Sequence, residues 1–132
     1  MPPVLTSLVA CLAILLALVL TAMVGKARGK YAVNAPATTG HPEFEKLHRA
    51  HANTVEQLVL FLPSLMFFGI MIDSKIAAMI GVVWLAGRLY YVRSYLRDPA
   101  SRGPGVVLTI VPTAVLLVGS IVALVMQGVA WL

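Results

Sequence analysis

The stretch Arg49-Ala50-His51-Ala52-Asn53-Thr54-Val55-Glu56-Gln57 runs directly into the uncharged apolar segment 58–72. Because an α-helix turns once every 3.6 residues, Arg49, Asn53 and Glu56 at i, i+4 and i+7 share one face. Ionisable side chains at such a depth are costly and usually pair or hold a ligand. The stretch therefore predicts a helix that enters a membrane and carries a polar binding site at its mouth.

The composition excludes an ordinary soluble domain. Of the 132 residues, 60% are hydrophobic and 11% are charged, and the mean hydropathy is +0.92. A soluble domain of this size could not bury so much apolar surface, so residues 1–132 are interpreted as one integral membrane domain. The net charge of +5 does not indicate nucleic-acid binding, because the basic residues lie beside apolar spans. The lone Cys11 excludes an intramolecular disulfide and is expected to be a buried packing residue.

Four apolar segments predict an all-α membrane protein, a four-transmembrane-helix bundle with up-down-up-down topology. The first, residues 4–25, carries no charge and is long enough to cross a bilayer, which takes ~20 helical residues. Pro42 suits the first turn of the second helix, since the N–H that proline lacks has no helical partner there. Trp131 is expected to anchor the last helix at the membrane interface. The predicted helices occupy about residues 4–27, 42–72, 75–97 and 105–131.

Basic residues predict the orientation of the bundle. The two loops that follow the first and third helices hold six of the ten Lys and Arg residues, whereas the opposite side has only Lys75, next to Asp73. Loops rich in Lys and Arg face the cytoplasm, so both termini are expected on the other side. The basic residues of the two loops are Lys26, Arg28, Lys30, Arg93, Arg97 and Arg102.

The same end of the bundle gathers the candidate chemistry. The third helix offers Arg88, Tyr91 and Tyr95 on one face, at i, i+3 and i+7, and the loops offer Arg28 and Arg102. Arginines can bind carboxylates through two parallel hydrogen bonds, and a glutamate can accept from an ammonium, so a ligand with two carboxylates and an α-amine suits this set. An arginine beside a thiol would also favour the thiolate, because an opposite charge lowers the pKa of the thiol.

Simpler interpretations of these residues remain open. Glu56 could pair with Arg49 or Arg88 only to satisfy the helix bundle, and Tyr90 fits an aromatic belt. His48 and His51 have no third ligand at a recognisable spacing, so no metal site is predicted. Four arginines could serve only to fix the topology and to contact anionic lipid headgroups, namely Arg28, Arg93, Arg97 and Arg102.

Three separated motifs together resemble one known family. The first is Thr39-Gly40-His41-Pro42-Glu43-Phe44-Glu45, and the second is Arg49-Ala50-His51-x-Asn53-x-x-Glu56. The third is Gly87-Arg88-x-x-Tyr91-x-x-x-Tyr95, followed by Pro99 and Arg102. With the four-span plan, these motifs resemble the MAPEG family, the membrane-associated proteins of eicosanoid and glutathione metabolism.

The resemblance implies a site for glutathione, which would act as a co-substrate. Arg102 matches the arginine that is thought to stabilise the thiolate, and it is the implied catalytic residue. Arg49, Asn53 and Glu56 would hold chiefly the γ-glutamyl end. Family members are homotrimers whose sites lie between neighbouring subunits. The residues implied to bind glutathione are Arg28, Arg49, His51, Asn53, Glu56, Tyr91 and Tyr95.

Two departures from the family's motifs indicate which branch of the family the chain resembles. Thr54 replaces an acidic residue of several mammalian transferases, and Gln57 replaces a tyrosine of the leukotriene-forming synthase. The chain therefore resembles the general microsomal transferase branch, in a bacterial version, more than a dedicated eicosanoid enzyme. The implied protein is a glutathione transferase of a bacterial inner membrane whose site faces the cytoplasm. It would act on hydrophobic electrophiles, with a glutathione-dependent lipid hydroperoxide peroxidase activity as a possible addition.

Two other classes of function remain as alternatives. A non-catalytic scaffold could bind glutathione or lipid without turnover and would have no need of Arg102. A small transporter or channel subunit would need polar residues through the membrane midplane, and the first and fourth helices offer only isolated Thr, Ser and Gln there.

Overall fold

The structure is a computed structural model that describes residues 4–130, and its regular elements are all helical. Helix α1 spans Val4–Tyr31, α2 spans Pro42–Met71, α3 spans Ser74–Arg97 and α4 spans Gly103–Ala130, with a short 3₁₀ helix at Pro99–Arg102. All four long helices are apolar enough to cross a membrane. The predicted four-helix membrane bundle is confirmed, and Trp131 lies outside the described residues.

The arrangement of the helices places α2 and α3 at the centre of the bundle. Each of these two helices packs against the other three, while α1 and α4 flank them. At one level of the core, the rings of Phe61 on α2 and Trp84 on α3 stack with centroids 4.0 Å apart and planes 6° apart. Stacked aromatic rings with this separation bury a large apolar area and so stabilise the contact between the two central helices.

The ends of α2 and α3 are set by capping side chains. Before α2, the His41 Nδ1 accepts a hydrogen bond from the Glu43 backbone N–H at 3.2 Å. Before α3, the Asp73 carboxylate accepts from the backbone N–H groups of Lys75 and Ile76, each at 2.8 Å. These acceptors satisfy N–H groups that have no partner inside the helix, which fixes where each helix begins.

Hydroxyl side chains within the spans are bonded internally. The Thr6 hydroxyl on α1 lies 3.0 Å from the Ser74 carbonyl oxygen and 2.8 Å from the Ser74 hydroxyl on α3. Others donate to the carbonyl four residues earlier in their own helix, which removes the penalty of a bare hydroxyl in an apolar medium. This second group comprises Thr54, Ser64, Thr109, Thr113 and Ser120.

Helices α3 and α4 approach closely through two glycines. A Cβ added at Gly87 of α3 would lie 2.5 Å from the Leu108 Cβ, and a Cβ added at Gly105 of α4 would lie 2.6 Å from the Tyr91 Cα. Small residues allow such backbone proximity, which is common between membrane helices. The two contacts fix the height and distance of Tyr91 relative to α4.

Cys11 is exposed, so the prediction that it is buried was wrong. It lies on the outward face of α1 among exposed Leu8, Leu12 and Leu15. In a membrane protein an apolar side chain is stable against lipid, so a central place in an apolar span does not require burial inside the protein.

Candidate ligand pocket

A pocket of about 330 Å³ opens between α2, α3 and α4 near the basic end of the bundle. Helix α2 supplies Arg49, Asn53 and Gln57 to its wall, and α3 supplies Arg88, Tyr91 and Tyr95. The remaining lining residues come from the 3₁₀ helix and α4, namely Arg102, Val106, Thr109 and Ile110. Five of the eight residues that the family resemblance implied for the site therefore meet in one pocket.

The buried guanidinium of Arg88 forms one wall of this pocket. The residue is 1% exposed, and its Nη2 donates to the Asn53 Oδ1 at 2.8 Å. Its guanidinium carbon lies 3.8 Å from the centroid of the Tyr91 ring, within the range of a cation–π contact. Among the described residues its Nε has no hydrogen-bond partner.

Arg88 also determines which way the Asn53 amide faces. A guanidinium can only donate hydrogen bonds, so it must face the Asn53 oxygen, and the amide nitrogen points to the other side. There the Asn53 Nδ2 lies 3.4 Å from the Glu56 Oε2. The arrangement holds an N–H donor and a carboxylate acceptor side by side on α2, next to the pocket.

Glu56 forms a loose ion pair with Arg49. The Arg49 Nη1 lies 3.4 Å from the Glu56 Oε1, and both side chains are more than half exposed, 57% and 56%. Exposed ion pairs of this kind stabilise a protein by only ~0–1 kcal/mol. Arg49 and Glu56 can therefore separate at small cost, and each can bind a ligand instead. The open alternative of pairing with Arg49 is thus observed, although such a weak pair leaves the carboxylate free to bind.

Two stacked tyrosines connect the buried end of the pocket to Arg102. The rings of Tyr91 and Tyr95 are 5.6 Å apart with planes 16° apart, and the Arg102 guanidinium lies 5.9 Å from the centroid of Tyr95. Arg102 ends the 3₁₀ helix, which begins where the Asp98 carboxylate accepts from the Ala100 N–H at 3.0 Å. The Asp98 cap therefore helps to set the position of Arg102 at the pocket mouth.

Arg28 does not line the pocket of its own chain. Its Nη1 donates to the backbone oxygens of Val33 at 3.2 Å and Ala37 at 2.7 Å, and its guanidinium lies 4.9 Å from the centroid of the Phe44 ring. These contacts tie the loop after α1 to the first turn of α2.

His51 also lies outside the lining of this pocket, on the side of α2 that faces α1. Its Nε2 is 3.0 Å from the Thr21 hydroxyl oxygen. The same hydroxyl also lies 2.9 Å from the Ala17 carbonyl oxygen, to which it can donate.

The pocket includes residues that were not among those implied to bind glutathione. Arg88 already shared a face with Tyr91 and Tyr95 in the sequence, and its charge in an apolar span was the available signal. Gln57 is uncharged, and nothing in the sequence assigned it to the site. The α4 residues are ordinary span residues whose role depends on tertiary packing, namely Val106, Thr109 and Ile110.

The charge of the lining favours an anionic ligand. Three of the ten lining residues are arginines and none is acidic. Among the described residues no group of three His, Cys, Asp or Glu side chains is placed to hold a metal ion. The arrangement thus presents guanidinium and amide donors together with aromatic surfaces, which are the groups that bind carboxylates and stabilise an anion.

Comparisons with known proteins agree with the motifs. A profile of the MAPEG family matches residues 6–122. An uncharacterized protein of the cyanobacterium Synechocystis sp. is 43% identical over 121 residues, which cover 92% of this chain and 88% of that protein. Leukotriene C4 synthase of Bos taurus is 39% identical over 94 residues, and microsomal glutathione S-transferase 2 of Homo sapiens is 40% identical over 82 residues.

The matches to the two mammalian proteins cover 71% and 62% of this chain but only 63% and 56% of those proteins, less than two thirds of their length. The family profile, by contrast, extends over most of this chain, from the first turn of α1 into α4. With its four long apolar helices, the chain is an integral membrane protein and belongs to the MAPEG family.

Proposed function

We propose that this protein is a membrane-bound glutathione transferase that ionises the thiol of glutathione and joins its sulfur to hydrophobic electrophiles. The observation that carries the proposal is a pocket with three arginines and no acidic lining residue, which shares residues with an apolar groove. The similarity to a microsomal glutathione S-transferase and to leukotriene C4 synthase supports the same class of co-substrate.

Glutathione matches the pocket group by group. It carries two carboxylates, one ammonium and one thiol, and Arg49 and Arg88 can each donate two hydrogen bonds to a carboxylate. Glu56 lies beside Asn53 and can accept from the ammonium after its loose pair with Arg49 opens. The volume of about 330 Å³ falls in the ordinary range of small-molecule sites.

Arg102 is the proposed activating residue. Its positive charge beside the thiol would lower the pKa of that thiol, so that the proton passes to water and the thiolate stays near the guanidinium. The thiolate then attacks an electrophilic carbon. A sulfur–carbon bond forms while the bond to a leaving group breaks. In a strained ring or a conjugated double bond, the ring bond or the π bond breaks instead, and its electron pair moves to the neighbouring atom.

An apolar groove supports a hydrophobic second substrate. It has a volume of about 280 Å³, lies between α2 and α4, and shares Gln57 and Ile110 with the pocket. Its other lining residues are Leu60, Thr113, Ala114 and Leu117. A lipophilic electrophile could move from the bilayer along this groove to the thiolate, and proximity would supply part of the rate enhancement. A lipid hydroperoxide could take the same route, so the proposal includes a glutathione-dependent peroxidase activity toward such substrates.

In a homotrimer, Arg28 and His51 could contribute to the glutathione site of a neighbouring subunit. Both residues lie on the α1 side of the protomer, away from the pocket lining. The exposed apolar surface of α4, and that of α1 on the side of Thr21, would be covered by neighbouring subunits, and Arg28 and His51 of one subunit would complete the pocket of the next. This assignment, like the cytoplasmic orientation of the site, is part of the proposal.

The test is a titration of the detergent-purified protein with glutathione, followed by thiolate absorbance in the ultraviolet near neutral pH. We expect a saturable thiolate signal that Arg102→Ala removes while glutathione still binds by calorimetry. Lys26→Ala, which removes an exposed charge on the same predicted side of the membrane, is the control and should keep the signal. Binding without any thiolate in the unsubstituted protein would instead support the non-catalytic scaffold.

A further inference from the structure

A ridge on α3 combines apolar and basic side chains in sequence. Leu85, Leu89, Arg93 and Arg97 follow each other at intervals of four residues, so they lie along one slowly turning line with about 6 Å of rise per step. We call this line the α3 ridge. Its lower half, Leu85 and Leu89, is apolar, and its upper half, Arg93 and Arg97, is basic. A membrane lipid has the same order of polarity, from its apolar acyl chains to its polar headgroup.

The lower half of the α3 ridge forms one wall of an apolar groove. The groove lies between α1 and α3 and has a volume of about 320 Å³. Every residue that lines it is leucine or valine, namely Leu12, Leu15, Leu16, Val19, Leu85 and Leu89. A surface of this kind fits a hydrocarbon chain, and it shares no residue with the glutathione pocket or with the groove between α2 and α4.

The upper half of the α3 ridge borders a polar hollow of about 480 Å³, lined by Tyr90, Arg93, Ser94, Arg97, Asp98 and Ser101. Its serine and aspartate side chains already have hydrogen-bond partners. The Ser94 hydroxyl donates to the Tyr91 oxygen at 3.1 Å, and the Ser101 hydroxyl donates to the Asp98 oxygen at 2.7 Å. The Asp98 carboxylate accepts from the Ala100 N–H.

The two guanidiniums of the hollow are therefore its free charged donors. Arg93 and Arg97 are exposed, and neither forms an ion pair with any part of the chain that the structure describes. Tyr90 is 48% exposed beside them, in the position of an aromatic side chain at a membrane interface. Because successive residues of a helix point about 100° apart, Tyr90 faces away from Tyr91 and the glutathione pocket.

We propose that the α3 ridge binds an anionic phospholipid, with the phosphate-bearing headgroup at Arg93 and Arg97 and one acyl chain in the groove between α1 and α3. Charge complementarity selects the headgroup, since guanidiniums bind phosphate oxygens through paired hydrogen bonds. The adjoining leucine groove selects a lipid over a soluble phosphate. This inference is independent of the proposed transferase function, because the two sites share no residue.

The experiment titrates the full-length, detergent-solubilised protein with phosphatidylglycerol and counts retained lipid by native mass spectrometry. Phosphatidylcholine and glycerol 3-phosphate serve as the neutral-lipid and soluble-phosphate probes. We expect retention of phosphatidylglycerol well above phosphatidylcholine, and no comparable binding of glycerol 3-phosphate. Equal retention of the two lipids would overturn the proposal. Equal binding of glycerol 3-phosphate would also overturn it, since the site would then recognise a free anion.

Two double variants test the residues themselves. Arg93→Gln with Arg97→Gln should weaken retention of phosphatidylglycerol roughly thirtyfold, since each basic side chain near an anionic headgroup contributes about a factor of five. Lys26→Gln with Lys30→Gln removes the same charge on the same predicted side and should cause a much smaller loss. Equal losses in both variants would mean general charge attraction and would refute a defined site. The lipid comparison on the unsubstituted protein remains decisive if the arginine variant does not fold.

Discussion

The close approach of α3 and α4 at Gly105 yields a quantitative prediction. A methyl group at this position would lie 2.6 Å from the Tyr91 Cα and 2.8 Å from its backbone N, whereas ordinary contact begins at 3.4 Å. Backbone atoms cannot rotate away as the end of a long side chain can, so Gly105→Ala must push the two helices apart. Overpacking of this kind costs ~1–3 kcal/mol, and Tyr91 shifts with its helix relative to Arg102.

Gly103→Ala is the matched control, because it lies in the same helix and a Cβ there meets nothing within 4 Å. Both positions lie in the first turn of α4, so the difference between the two variants reports mainly the clash. We expect Gly105→Ala to be less stable than Gly103→Ala by ~1–3 kcal/mol in detergent unfolding. A displacement near 1 Å should also lower the glutathione conjugation rate by roughly 100-fold. Equal stability and equal conjugation in the two variants would refute the packing argument.

Two further substitutions separate binding from activation in the pocket. Arg88→Met should cost at most ~1–3 kcal/mol of stability, because it removes a buried charge but leaves the Asn53 oxygen without its donor. It should nevertheless weaken glutathione binding by about 10- to 100-fold in calorimetry, since Asn53 loses the charged hydrogen bond that orients it; unchanged affinity would contradict this role. Asp98→Ala should slow conjugation by releasing the 3₁₀ helix that carries Arg102, whereas Asp73→Ala, which removes a cap at the opposite end of α3, should leave the rate unchanged. Equal conjugation rates for Asp98→Ala and Asp73→Ala would show that the Asp98 cap does not position Arg102.

The helix content of the fold followed from hydropathy, but the end of the first helix did not. The first helix was predicted to stop near residue 27, where charged residues begin, yet α1 continues to Tyr31. Exposed Lys26 and Lys30 mark the limit of the apolar span and do not interrupt helical hydrogen bonding. The helix ends instead where Ala32 adopts a positive φ of 54°. Hydropathy therefore located the span, and local backbone conformation located the end of the helix.

The candidate site was predictable where its residues share one helix. The spacing of Arg49, Asn53 and Glu56 placed them together, and the structure joins all three through hydrogen bonds. Sequence spacing could not show that α4 closes the pocket, because contact between helices depends on packing at positions such as Gly105. It also gave no measure of burial, which distinguishes Arg88 from the exposed arginines.

The buried guanidinium of Arg88 has a consequence for how the chain enters the bilayer during synthesis. An arginine at the centre of an isolated helix opposes translocon-mediated insertion by ~2.5–3.5 kcal/mol. Helix α3 also has the lowest mean hydropathy of the four spans, 1.3 compared with 1.7 to 2.8 for the others. Because the partner of Arg88 is Asn53 on α2, and a short turn joins the two helices, α3 is expected to insert as a hairpin with α2. The residue that shapes the pocket thereby makes the biogenesis of one helix dependent on its neighbour.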